Sequence, residues 1–205
     1  MVSVDDLWKS GKYKLIKTLK YNEIVEFIFE NIGFKNASSF FYFFYNIITL
    51  IILIGFGFFF FDAGFKNFFR YLSGGIIAGS ILVIPVHELI HGITYKLLGA
   101  PKIHFGADFK QMLFYVAADK FVINRNRFYL VAISPFFVIN LFTIIFLFNF
   151  SVPLIISALS FLLLHNLMCI GDFALVSFFQ RFQDKELFTY DDHKEMTSYI
   201  FEKTY

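Results

Sequence analysis

The sequence predicts an all-α membrane protein: a four-transmembrane-helix bundle with a short β-hairpin between helices two and three. Three observations predict it. Of 205 residues, 58% are apolar and only 17% charged, against roughly 25% in soluble domains, and mean hydropathy is +0.64. Four apolar stretches, near Ser38–Phe61, Leu72–Leu98, Phe128–Phe150 and Val152–Phe179, are each long enough to cross about 30 Å of hydrocarbon. The loop between the second and third carries short runs rich in Phe, Tyr, Val and Ile, at Gln111–Ala117 and Lys120–Ile123, with Gly106 and Asp108 as a turn.

Residues 1–37 read as a cytosolic amphipathic segment. Lysines 9, 12, 14, 17, 20 and 35 are interleaved with Trp8, Tyr13, Leu15, Ile16 and Leu19. A surface-lying helix and a short solvated segment both fit. The segment opens with Asp5 and Asp6 and lacks an early apolar core, so it is not expected to be a signal peptide. Residues 38–180 hold the four spans. The last two meet at Ser151-Val152-Pro153, a tight turn with Pro153 in the first turn of the fourth helix. Residues 181–205 read as a cytosolic tail.

Lys and Arg orient the bundle. They crowd the N-terminal segment, the Gly99–Arg127 loop (Lys102, Lys110, Lys120, Arg125, Arg127) and the tail, and are missing from the turn between spans three and four. The positive-inside bias therefore predicts a multi-pass cell-membrane protein with both termini cytoplasmic. Spans two and four then run parallel. The net charge of +2 forms no basic stripe, which excludes a nucleic-acid partner. Cys169 is the one cysteine, so no intrachain disulfide can form, and it reads as a small apolar packing residue.

The chemistry sits in His87-Glu88-Leu89-Ile90-His91. On a helix the two histidines lie one turn apart on one face, where they can grip a divalent metal, and Glu88 stands beside it as a general base. Glu88 is the only carboxylate between Gly64 and Ala107, and Asp172 the only one between Lys120 and Gln183. Intramembrane acids usually face the bundle interior and find a partner. Zinc on His87, His91 and Asp172 would provide it, leaving one open position as in catalytic sites. Iron and manganese suit the same donors.

His165, seven residues before Asp172, is an alternative third ligand or a donor to the reacting oxygen. Asn140 and Asn166 are auxiliary candidates that would orient substrate or bond between helices. Pro85 loosens the helix before the motif, and Gly92 admits a close neighbour beside the second histidine. His104 and His193 read as lone histidines, and Asp119, Asp191 and Asp192 as solvated acids.

These features together resemble a family. A proline-preceded HELIHG, an IHFG loop, Ile133-Ser134-Pro135 entering the third span, and Asn166 followed by Gly171-Asp172 are similar to the small bacterial putative zincin peptidases, with a distant resemblance to the site-2 intramembrane metalloproteases. In the latter an aspartate on a later span is the third ligand, usually in an Asp-Gly context. The resemblance carries that role to Asp172, here in the order Gly171-Asp172. It implies a zinc-dependent peptidase acting on membrane-protein or peptide substrates within the lipid bilayer. An exposed strand edge in the hairpin loop would hold such a substrate extended. Two other readings use the same residues. One is a metal-handling transporter or sensor; the other is a non-catalytic membrane partner with a vestigial motif.

Overall fold

The computed structural model describes residues 2–33, 36–59, 65–108, 113–147 and 151–204. The expected ends of spans one and three, at Phe60–Phe61 and Phe148–Phe150, lie outside the described residues, as do Lys35, Lys110, Gln111 and Met112. In chain order the elements are α1 (Val4–Lys9), β1 (Tyr13–Lys20), a 3₁₀ turn (Tyr21–Glu23), α2 (Ile24–Asn31), α3 (Ala37–Phe59) and α4 (Phe65–Leu97). Then come β2 (His104–Asp108), β3 (Leu113–Ala117), β4 (Ile123–Asn124), α5 (Arg125–Leu147), α6 (Val152–Met168), α7 (Ile170–Gln180), β5 (Leu187–Asp192) and β6 (Thr197–Lys203).

Helices α3, α4 and α5 are each long and apolar enough to cross a membrane. Helices α6 and α7 meet at a 45° bend and together supply a fourth, broken span. Side chains such as Ile47, Ile51, Ile77, Ile81, Leu141 and Phe142 are exposed on these helices. Lipid, not water, is the solvent such a surface fits, so three or four helices suit a multi-pass membrane protein.

Spans α4 and α6 pack in parallel, because contacts advance together along both. Gly75 lies against Ser157 and Ser160, Gly79 against Phe161 and Leu164, and His87 against His165. The close approach depends on Gly75: a Cβ there would sit 2.0 Å from Ser160 Oγ and 2.1 Å from the Ser157 carbonyl oxygen. Small residues at helix crossings serve this purpose in membranes.

The chain is not all-α. A four-stranded antiparallel sheet in the order β1-β6-β5-β4 joins the N-terminal segment, the C-terminal tail and the residues before α5. These segments are short and carry alternating aromatic or β-branched residues, which suits a pleated strand better than a helix. In β1 a bulge between Leu15 and Lys17 resets the alternation. Tyr13 and Leu15 thus join the outer cluster of Leu7, Phe188, Tyr190 and Phe201, while Leu19 joins Phe27, Phe179, Leu187 and Ile200 against α2 and α7.

The hairpin between α4 and α5 is present, with different strands from those expected. It pairs β2 with β3 in register from His104↔Ala117 to Asp108↔Leu113. Gly106 lies within a strand and not in a turn. Ile123 joins the larger sheet instead, pairing with Thr189.

Candidate metal centre

Helix α4 runs through Pro85 without interruption and presents His87 and His91 from one face, both buried. Their Nε2 atoms lie 3.0 Å apart. Asp172 reaches the pair from α7, placing Oδ2 3.3 Å from His87 Nε2 and Oδ1 3.3 Å from His91 Nε2. A local break produces this arrangement. Helix α6 ends at Cys169 (φ −68°, ψ 3°), and α7 restarts at Ile170 with Asp172 in its first turn. There the free amides at the helix start favour a carboxylate. The expected single fourth span, Val152–Phe179, is therefore two helices.

Hydrogen bonds set the orientation of both imidazoles. His91 Nδ1–H donates to the Val131 carbonyl at 2.9 Å, which leaves the lone pair on Nε2. That carbonyl is available because residue 135, four positions on, is a proline inside α5 and has no N–H to offer. Ser134 Oγ also donates to it and accepts from Thr94 of α4, which ties the two helices beside the site. His87 Nδ1 lies 3.4 Å from His165 Nε2, with Cys169 Sγ 3.5 Å from the same His165 nitrogen. His165 thus stands on the opposite edge of the His87 ring from Asp172.

The donor set fits a divalent cation. Two imidazole nitrogens and the two oxygens of one carboxylate converge, and without a cation or a proton between them they would repel. Their separations of 3.0 to 3.3 Å match the roughly 3.3 Å between ligand atoms of a tetrahedral ion with ~2.0–2.1 Å bonds. His87, His91 and Asp172 form one group able to hold an ion; His87, His165 and Cys169 form another around the same ring.

A cavity of about 260 Å³ opens against these donors, between the helices and the sheet. Glu88 lines it, and Glu88 Oε2 is buried with no hydrogen-bond partner among the described residues. Gly92 lies under Phe105 of β2, whose ring would be 2.7 Å from an added Cβ, so the glycine seats the hairpin beside His91.

Asn140 and Asn166 do not reach the three donors. Asn140 Nδ2 donates to Asn166 Oδ1 at 2.7 Å, and Tyr45 OH donates to Asn140 Oδ1, joining α3, α5 and α6. His104 and His193 stack on each other, ring centroids 4.1 Å apart.

Asp191 and Asp192 are not ordinary solvated acids. Asp192 is buried, pairs with Lys120 and accepts from the amides of Lys194 and Glu195. Asp191 faces the cavity from β5, accepting from Ser198 Oγ at 2.6 Å and from Tyr95 OH at 3.5 Å. Burial pushes its carboxyl up to about 6, and burial likewise raises the Tyr21 phenol nearby. Sequence reasoning missed Asp191 and the Val131 carbonyl. For the latter a signal existed in Pro135; for the former the Phe, Tyr and Ile alternation of the tail marked a strand with an inward face.

No curated protein and no solved structure matches the chain. One family model does match, over residues 80–186, a stretch that contains both histidines, Glu88 and Asp172. That match spans more than half of the sequence, and the chain belongs to the family described as putative zincin peptidase.

Proposed function

We propose that this protein is a zinc-dependent membrane peptidase that hydrolyses peptide bonds of membrane-embedded or membrane-adjacent substrates toward the cytoplasmic side. One observation carries the reading: two buried imidazole nitrogens and a carboxylate from separate spans converge within 3.3 Å, with a glutamate oxygen that has no partner among the described residues on the wall of the same cavity.

His87, His91 and Asp172 would hold the zinc. When bound, it supplies a Lewis acid that acidifies water and polarises a peptide carbonyl. Glu88 receives the proton of the attacking water and returns it to the amine as the C–N bond breaks, leaving a carboxylate and an amine. Val131 and His165 hold the imidazole tautomers that keep the Nε2 lone pairs toward the ion. The positive-inside distribution supports a cytoplasmic location for the sheet and both termini.

The test is Glu88→Gln in purified protein. It should retain one zinc per chain by elemental analysis and lose cleavage of a transmembrane peptide by at least 10²-fold. Equal turnover by wild type and variant would remove Glu88 from the chemistry and end this reading.

A further inference from the structure

The cavity has a second polar end that the peptidase chemistry does not use. Resting on the peptidase reading above, we infer that Asp191 is a cation-recognising subsite, which receives the side chain of a substrate lysine or arginine near the bond that is cut.

Position comes first. Asp191 and Glu88 line the same cavity. Tyr95, whose hydroxyl reaches Asp191 Oδ2, lies one turn beyond His91 on α4, an advance of about 6 Å. An extended substrate rises about 3.3 Å per residue, so the subsite serves a side chain a few residues from the reacting carbonyl.

Valence comes next. A carboxylate offers about four acceptor positions. The two contacts to Asp191 come from neutral hydroxyls, and no Lys or Arg forms an ion pair with it among the described residues. Its neighbour Asp192 does have such a partner in Lys120. Asp119 adds a second negative charge nearby. A half-buried carboxylate in a largely apolar wall is costly unless a cation completes it. The walls suit one: Tyr21 and Tyr115, packed edge to face with ring centroids 4.7 Å apart, line the same space, and aromatic rings attract ammonium or guanidinium.

The occupant follows from membrane chemistry. Spanning segments carry Lys and Arg at their cytoplasmic ends. A segment entering the cavity apolar end first would bring such a residue to the sheet.

The experiment uses zinc-loaded Glu88→Gln protein in nanodiscs, so that peptides bind without being cut. The probes are fluorescent, N-acetylated apolar peptides with a single lysine stepped through the flanking residues, each paired with its norleucine isostere. Anisotropy should show one position at which lysine binds about tenfold tighter. Adding Asp191→Asn should erase that preference and leave the norleucine peptide's affinity unchanged. Three results would overturn the inference: no position favouring lysine, a preference surviving Asp191→Asn, or an unacetylated norleucine peptide binding as tightly as the lysine one, which would assign the subsite to a chain terminus. Wild-type cleavage of the same peptides is read separately. Binding preference without cleavage sinks the peptidase reading alone; cleavage indifferent to lysine sinks the subsite alone.

Discussion

Pro135 frees the carbonyl that orients His91. Within α5 the Val131 oxygen would ordinarily accept from the amide four residues on, but Pro135 has none, and the oxygen accepts from His91 Nδ1–H at 2.9 Å instead. A helix defect on one span thus selects the tautomer of a candidate metal ligand on another. Pro135→Ala restores the amide and sets up a competition for that carbonyl. Zinc affinity should fall about tenfold, the low end for loss of a supporting hydrogen bond, while α5 itself becomes no less stable. Chelator competition measures the first and circular dichroism the second. Unchanged affinity would show that the freed carbonyl plays no part.

His165 and Asp172 occupy opposite edges of the His87 ring, so their substitutions should differ in kind. Asp172→Ala removes a donor and should abolish stoichiometric zinc. His165→Leu removes only the acceptor for His87 Nδ1–H and should keep one zinc at about tenfold weaker affinity. Reversed outcomes, read by elemental analysis after dialysis, would make His165 the third ligand.

Asp191 should make stability fall with rising pH. Its folded carboxyl, pushed up to about 6, lies above its ordinary value of 3.8, so between those values the folded state holds the extra proton. Stability is then fullest below about pH 4 and is lost as pH rises through 6. The facing groups are Tyr95 on α4, Tyr21 of the 3₁₀ turn, Asp119 and Ser198, and Asp119 adds to the upward push on Asp191. Asp191→Asn should therefore stabilise the zinc-free protein at pH 8 by on the order of 3 kcal/mol, with the gain shrinking toward pH 5. Thermal unfolding in detergent at both pH values checks this. A gain independent of pH would point to packing instead.

Gly75 sets the distance between α4 and α6. Gly75→Ala places a methyl where the Ser157 backbone and Ser160 hydroxyl now sit, so α6 must shift as a unit. A loss of about 1–3 kcal/mol is expected from overpacking, with weakened zinc binding, since His165 and Cys169 ride on the same helix. Unfolding midpoints and zinc titration of the one variant read both effects.

Local order made part of this protein legible in one dimension. HELIHG places two imidazoles on one face because a helix repeats every 3.6 residues, whatever surrounds it. The apolar stretches read as spans because hydrocarbon leaves the backbone few alternatives to a helix. Glu88 and Asp172 stood out because a carboxylate in such a stretch is expensive. Other features were decided by distant parts of the chain meeting. The sheet pairs residues 13–20 with 197–203, and no local pattern in either segment names its partner. The 45° bend at Cys169 leaves no proline or long polar run to announce it, yet it turns Asp172 toward the histidines and His165 behind them. Asp191 looked like a surface acid in a polar tail until its strand was laid against α4. Strand pairing and helix breaks draw their free energy from contacts between remote segments, and those contacts exist only once the chain has folded.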